Sequence, residues 1–306
     1  MQTEGEAAST GVLSAPDRLF RAFTYAVMVA WAAFALMPIV FMFVSAFKPV
    51  ARTFLDLRAT NPLIALLPTE FTTENFVQVF LRTPFARFLF NSMTVAAVSV
   101  TFSVLVNSMA AFALARLEWR GKKWMLALVV ALLVVPFEAI AIPLLFVVNH
   151  LPWIDIGPTG LELQRSWLNT LHVQIIPFIA DAFSIFLFYQ LFQDIPKDFD
   201  EAARIDGATP FQIYWRIVMP LARPVTASVA ILQLQARWND YLWPVIAVPG
   251  QASRPLTVGI TTFYTQNPDW GQILAYASMI TLPMLAIFVL FQRWFIQSVM
   301  ATGVKG

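Results

Sequence analysis

Asp194-Ile195-Pro196-Lys197-Asp198-Phe199-Asp200-Glu201-Ala202-Ala203-Arg204-Ile205-Asp206-Gly207-Ala208 runs on into Thr209-Pro210-Phe211-Gln212-Ile213-Tyr214-Trp215-Arg216-Ile217-Val218-Met219-Pro220. Together they form a polar, patterned stretch between two long apolar runs. The pattern is helical twice over. Pro196 suits the first turn of a helix, and Asp198, Asp200 and Glu201 follow where negative charge complements the helix dipole. Gly207 supplies the stop, because glycine enters the left-handed conformation that ends helices without steric cost. Thr209 then caps a second helix with Pro210 at its first position. Phe211, Tyr214, Trp215 and Val218 recur at spacings of three and four, which predicts one apolar stripe along it.

The flanking runs decide the solvent. Of 306 residues, 58% are hydrophobic, 14% aromatic and only 12% charged. An average soluble domain carries about 25% charged residues. A chain this poor in charge cannot cover a water-facing surface, and a lipid bilayer is its matching solvent. A disordered chain, a nucleic-acid binder and an ordinary globular enzyme are thereby excluded. The net charge of +2, with no basic run, gives nucleic acid no footprint. There is no Cys, so disulfides, thiolate nucleophiles and zinc clusters are impossible. His150 and His172 are too few for a histidine-built metal site. The polar start of the chain and the long apolar run after Arg21 do not fit a cleavable signal.

A helix needs about 20 apolar residues to cross a hydrocarbon core of roughly 30 Å. Residues 22–47, 88–114, 124–148, 171–191, 221–248 and 273–296 qualify, which predicts an all-α membrane protein of six transmembrane helices. Pro38, Pro136, Pro143 and Pro283 fall inside these spans and read as kinks, because packed neighbours re-satisfy the backbone groups that proline frees. Arg116, Arg120, Lys122 and Lys123 crowd the short connection 115–123, and Lys197, Arg204 and Arg216 lie in the stretch 194–220. The outward loops 48–84, 149–170 and 249–272 are longer and more sparsely basic. The positive-inside rule therefore puts 194–220 and both termini in the cytoplasm. The chain divides into a tail, 1–20, a six-span domain, 21–300, and a second tail, 301–306. Trp153, Trp167, Trp243 and Trp270 fall near the interfaces and read as belt anchors.

In the cytoplasmic stretch, Ala202, Ala203, Gly207 and Ala208 let another surface approach closely, while Glu201, Arg204 and Asp206 fix orientation at the rim. Two settings suit such a helix, a groove on a soluble partner or the lipid surface. The acids Asp198, Asp200 and Glu201 weigh against anionic headgroups.

Glu201-Ala202-Ala203, three residues, Gly207, nine residues, Ile217, one residue and Met219-Pro220 resembles the EAA loop of ABC importer permeases, with Met219 where Leu is usual. Phe90-Asn91-Ser92-Met93-Thr94-Val95-Ala96 opens the second span. Ala110-Ala111-Phe112-Ala113-Leu114-Ala115-Arg116-Leu117-Glu118-Trp119-Arg120-Gly121 closes it. Trp238-Asn239-Asp240-Tyr241-Leu242-Trp243-Pro244 ends the fifth span, and Ala301-Thr302-Gly303-Val304-Lys305-Gly306 ends the chain. These stretches are similar to the carbohydrate-uptake branch of that family, in particular its maltose-type second permease subunit. The resemblance implies a type I importer permease fold with a cytoplasmic coupling helix, in a bacterial or archaeal cytoplasmic membrane. The implied partners are a second homologous permease subunit, two ATP-binding subunits, an extracytoplasmic solute-binding protein and membrane lipid. It also implies that the coupling helix docks into an ATPase cleft through Glu201, with Ala202, Ala203, Asp206, Gly207, Ala208 and Phe211 around it. Lys305 and Gly306 would reach the same interface. No cofactor belongs to this chain, since ATP and Mg are held by the partner subunits. The implied substrate is a mono- or oligosaccharide or related polyol. Glycerol-3-phosphate or another polar metabolite is the alternative.

The residues agree with a non-enzymatic role. No G-x-x-x-x-G-K-[ST] is present to cradle phosphates, and no nucleophile neighbours a His. An ion-coupled secondary transporter would show inverted repeats, and none is visible. Ionisable and amide groups at membrane depth usually face a cavity or a partner, and here they are Glu138, Asp181, Gln190, Gln233, Gln235, Arg237, Asn239 and Asp240. Asp181, Gln233, Gln235, Asn239 and Asp240 are the candidates for a sugar path, with a structural role between helices as the competing reading. Gln233 and Gln235, two apart, cannot share a helix face, whereas Arg237 follows Gln233 on one face and Asp240 stands in reach of Arg237.

Overall fold

A computed structural model describes residues 15–58, 61, 63–67, 70–157, 160–264, 266 and 268–303. Residues 1–14 of the expected N-terminal tail, and Lys305 and Gly306 at the other end, lie outside the described residues. The helices that carry the argument are α1 (Ala15–Ala46), α2 (Phe85–Arg116), α3 (Lys122–Leu132), α4 (Phe137–Asn149) and α5 (Ala182–Asp194). They continue with α6 (Asp198–Ile205), α7 (Pro210–Ile213), α8 (Arg223–Trp238), α9 (Leu242–Ala247) and α10 (Trp270–Gly303). Among the described residues, four stretches are long and apolar enough to cross a bilayer: Leu19–Ala46, Phe85–Arg116, His172–Asp194 and Trp270–Phe291. Two sharply bent pairs bring the total to as many as six.

The bends correct the sequence reading of three spans. The third is α3 and α4, meeting at 108°. Pro136 is a break rather than a kink. It is extended, with φ −69° and ψ 142°, and heads α4, where its missing N–H costs nothing. Pro38, Pro143 and Pro283 do sit inside unbroken helices. The fourth span opens with a short helix, His172–Ile175, and a 3-10 turn, Ile176–Phe178, before Asp181 caps α5. The expected fifth span stops at Trp238, breaks over residues 239–241 and resumes as α9. Upstream, Pro210–Leu221 meets α8 at 82°. α1 begins at Ala15, so the last residues assigned to the N-terminal tail are helical. The loop 149–170 also holds an antiparallel hairpin, β1 (Trp153–Gly157) and β2 (Gly160–Gln164), with Ile154 opposite Leu163.

The chain divides into two compact units, residues 1–78 with 269–278, and residues 79–268 with 279–306. In the first, the end of α1 is tied down by buried polar groups. Lys48 is fully buried, pairs with Asp56 at 2.9 Å and donates to the Ile64 carbonyl at 3.0 Å. Asn75 Nδ2 donates to the Ala46 and Lys48 carbonyls, which a helix end leaves without intrahelical partners.

In the second unit α2 is the spine. Ser92, Ser99, Ser103, Ser108, Ala111 and Ala115 are buried along it, and such small side chains let membrane helices approach closely. Phe112, Phe188, Phe192, Ile213, Tyr214, Val218 and Val229 join α2, α5, α8 and the cytoplasmic stretch in one core. A second cluster gathers Val148, Val173, Trp243, Ala247 and Val248. Trp243 is fully buried there, and its indole Nε1 donates to the Val173 carbonyl at 2.9 Å. It is a core residue and not the interfacial anchor expected from its position. A buried indole needs a partner for its N–H, and the short helix His172–Ile175 provides one.

Candidate functional site

The stretch after α5 folds as two short helices joined by a glycine turn. The Lys197 carbonyl accepts from the amides of Asp200 and Glu201 and starts α6, so Pro196 lies one residue ahead of the cap rather than in the first turn. At the other end Gly207 has φ +80°. Its amide donates to Arg204 O at 3.0 Å, and the Ala208 amide donates to Ala203 O at 2.9 Å. This double closure is a Schellman cap. An added Cβ at Gly207 would meet nothing within 4 Å, so backbone conformation, not space, requires the glycine. Thr209 Oγ1 accepts from the Gln212 amide at 3.3 Å, and Gln212 Oε1 accepts from the Thr209 amide at 2.7 Å. That reciprocal capping box opens α7. A π-helical turn, Tyr214–Val218, carries the chain toward the membrane.

Burial divides the sequence-selected residues. Glu201, Ala202, Asp206, Gly207 and Phe211 are exposed, while Ala203 and Ala208 are half-buried against the core. The single stripe expected from Phe211, Tyr214, Trp215 and Val218 is instead two pairs. Tyr214 and Val218 are buried, whereas Phe211 and Trp215 face outward. Tyr214 is drawn in by Phe112, whose ring it meets edge-on at 5.4 Å, and by a 2.8 Å hydrogen bond with Ser108 Oγ. Burial pushes the Tyr214 hydroxyl above the usual phenol range and the Ser108 bond opposes this. Phe199, Ile205, Phe211 and Trp215 therefore stand exposed beside Glu201 and Asp206, with Ile205 at 87% exposure. Apolar side chains so displayed with an acidic rim have the composition of a contact surface.

Two residues hold this surface from beneath. Arg116, one of the basic residues of the connection 115–123, is buried at the end of α2 and pairs with Asp200, also buried, at 3.4 Å. The signal in the sequence was the spacing of Ser108, Phe112 and Arg116, which puts all three on one helix face.

The intramembrane candidates fall into three places. Asp181 Oδ2 caps α5 by accepting from the Ser184 amide and hydroxyl, at 2.7 and 2.6 Å. Gln233, buried on α8, donates to the same Ser184 hydroxyl at 2.9 Å. Asn107 on α2 completes the set, accepting from the Asp181 amide and donating to the Ile179 carbonyl and Ser103. Gln235 is on another face of α8, exposed, in an apolar cleft with Ile231, Leu234, Met284, Ile287 and Phe288. Asn239 and Asp240 lie past the end of α8. Asp240 pairs with Arg237 at 3.1 Å, as the spacing suggested, and accepts from the Trp243 amide, while Asn239 is exposed. The Arg237 guanidinium also lies 4.0 Å from the centre of the Phe178 ring. Of the five candidates, Gln235 alone lines that cleft. Among the described residues, no group of three or more His, Asp or Glu side chains could hold a metal ion.

Comparison with known proteins gives this geometry its class. The family described as "Binding-protein-dependent transport system inner membrane component" matches residues 103–300. The arabinooligosaccharides transport system permease protein AraQ of Halalkalibacterium halodurans is 31% identical, over 89% of this chain and 92% of its own. The trehalose transport system permease protein SugB of Mycobacterium tuberculosis is 29% identical, over 89% and 93%. Among solved structures, a chain of a bacterial ABC transporter involved in import of the acidic polysaccharide alginate superposes with a TM-score of 0.75. It is 22% identical and covers 94% of this chain and 100% of that one.

The chain belongs to the binding-protein-dependent transport system inner membrane component family. It is a permease subunit of an ABC transport system and a multi-pass membrane protein.

Proposed function

We propose that this chain forms half of the translocation path of a sugar or polyol importer, and that the stretch 194–220 is its coupling loop. The remaining half comes from a second, homologous permease subunit. Two ATP-binding subunits sit on the cytoplasmic side and an extracytoplasmic solute-binding protein delivers the substrate. The observation that carries this reading is the exposed group Phe199, Ile205, Phe211 and Trp215, rimmed by Glu201 and Asp206, on two helices closed by a glycine cap. Such a knob fits a groove on a soluble partner, and its rigid caps suit it to transmit displacement. Both termini and the loop are cytoplasmic in this account. The transport systems named for arabinooligosaccharides and trehalose point to a carbohydrate substrate.

Glu201 supplies the charged anchor at the rim, with Ala202, Ala203 and Ala208 allowing close approach and Gly207 setting the turn. Replacing Glu201 by Lys is expected to abolish co-purification of the ATPase subunits or to uncouple ATP hydrolysis from uptake. Normal assembly with full transport in that variant would remove the docking role. Screening the cognate solute-binding protein against sugars and polyols tests the substrate class. Binding of an ion or amino acid alone would contradict it.

A further inference from the structure

α2 ends in a buried cation that touches two other elements. Arg116 Nη2 donates to the Ile195 carbonyl at 2.7 Å, and Nη1 lies 3.4 Å from Asp200 Oδ2. The two side chains are 2% and 8% exposed. Ile195 is the residue that ends α5, and Asp200 is in the first turn of α6. One guanidinium therefore joins the end of α2, the exit from α5 and the start of the coupling helix. Phe112 and Ser108, four and eight residues earlier on the same face, hold Tyr214 of the second coupling segment. The cytoplasmic stretch is fastened to α2 at two points along one stripe.

Stability alone does not account for the ion pair. A buried pair of charges rarely outperforms well-packed apolar residues of the same volume, because both ions must leave water. Arg116 Nε and Asp200 Oδ1, moreover, have no hydrogen-bond partner among the described residues. What the pair does supply is geometry. A planar guanidinium that reaches two acceptors fixes both distance and angle, which a point charge or an apolar contact does not.

We propose that Arg116 is a positioning residue that pins α6 to α2 through Asp200 and Ile195, so that displacement of the coupling helix is delivered to the membrane spine instead of being absorbed by the loop. The proposal rests on reading 194–220 as the loop that docks on the ATPase. While α6 is held to α2, the permease also limits the movement of an ATPase seated on it, and a broken pin lifts that limit.

The test uses the intact complex with its ATPase subunits in lipid nanodiscs, with Asp200→Asn, Arg116→Lys and Asp200→Glu introduced singly. Arg116→Lys keeps the charge and loses the fork. Three quantities are read: ATPase co-purification, hydrogen exchange of the α6 amides, and ATP hydrolysis with MgATP alone. In Asp200→Asn and Arg116→Lys, co-purification is expected to stay at the wild-type level. The α6 amides are expected to exchange about tenfold faster, a local opening that leaves the rest of the fold protected. Hydrolysis rises several-fold, whereas Asp200→Glu, which keeps the carboxylate, leaves both values near wild type. Unchanged α6 exchange, or unchanged hydrolysis in assembled Asp200→Asn complexes, overturns the pin. So does a fall in hydrolysis that only tracks lost assembly, since that is the signature of a merely structural pair. If the unmutated chain brings down no ATPase, the docking reading fails first and the pin falls with it. That failure is seen before any variant is made.

Discussion

Gly207 and its neighbours show how much one backbone angle decides. With φ at +80° and open space around the missing Cβ, the position selects for conformation only. Asn also tolerates the left-handed region, whereas a β-branched residue pays about 1–2 kcal/mol or more there. Gly207→Asn should therefore keep near-normal assembly with the ATPase subunits, and Gly207→Val should lose most of it, measured by co-purification. Equal loss in both would mean that the glycine is needed for close approach of a partner and not for its angle. The stop at Gly207 and the cap at Thr209 were legible because each depends on a local motif. The difference between Asp200 and Glu201 was not. They are adjacent acids in the first turn of one helix, and only the rotation of α6 against α2 buries the first and exposes the second.

Among the helices, polar contacts and proline breaks set the arrangement. Asn107, Asp181, Ser184 and Gln233 join α2, α5 and α8 in one connected set of hydrogen bonds. Interhelical hydrogen bonds in membranes are each worth about 0.6 kcal/mol on average and up to about 2. Because Asn107 makes two of these contacts, to the Ile179 carbonyl and from the Asp181 amide, Asn107→Leu should lower the thermal midpoint of the purified protein by several degrees. Gln235→Leu, on the other face of α8, should leave it unchanged. A midpoint unmoved by Asn107→Leu would show that the network adds nothing to helix association. Hydropathy found every span but not the breaks within three of them. Pro136 and Pro143 look alike in sequence, yet one heads a new helix and the other is absorbed within it. In a membrane, packed neighbours decide whether the carbonyls that a proline frees are re-satisfied, and one span's sequence does not contain them. The hairpin was missed for a related reason. Its strands are five residues each and lie in a loop read by composition.

The Cys-free chain makes its topology directly measurable. Single cysteines at Gln251 and at Arg204, both exposed, should be labelled from opposite sides of sealed vesicles, Gln251 from outside and Arg204 from inside. Labelling of both from one side would overturn the six-span path. The fold class was readable because it follows from apolar length, and the turn at Gly207 because a long mixed motif marks it. The contacts made by the candidates for a substrate path were not. Asp181 and Gln233 fasten helices, Asp240 holds Arg237, and Gln235 and Asn239 are exposed. A path shared between two permeases has half its lining on another polypeptide, so one chain's pattern cannot close it.

The central claim is that the exposed knob on α6 and α7 seats in an ATPase subunit. Placing the photoreactive amino acid p-benzoylphenylalanine at Ile205, the most exposed apolar residue of that knob, and irradiating the assembled complex tests it most directly. The account predicts a covalent adduct with the ATP-binding subunit, lost in Glu201→Lys. Adducts with lipid alone, or none in a complex that still hydrolyses ATP, would contradict it.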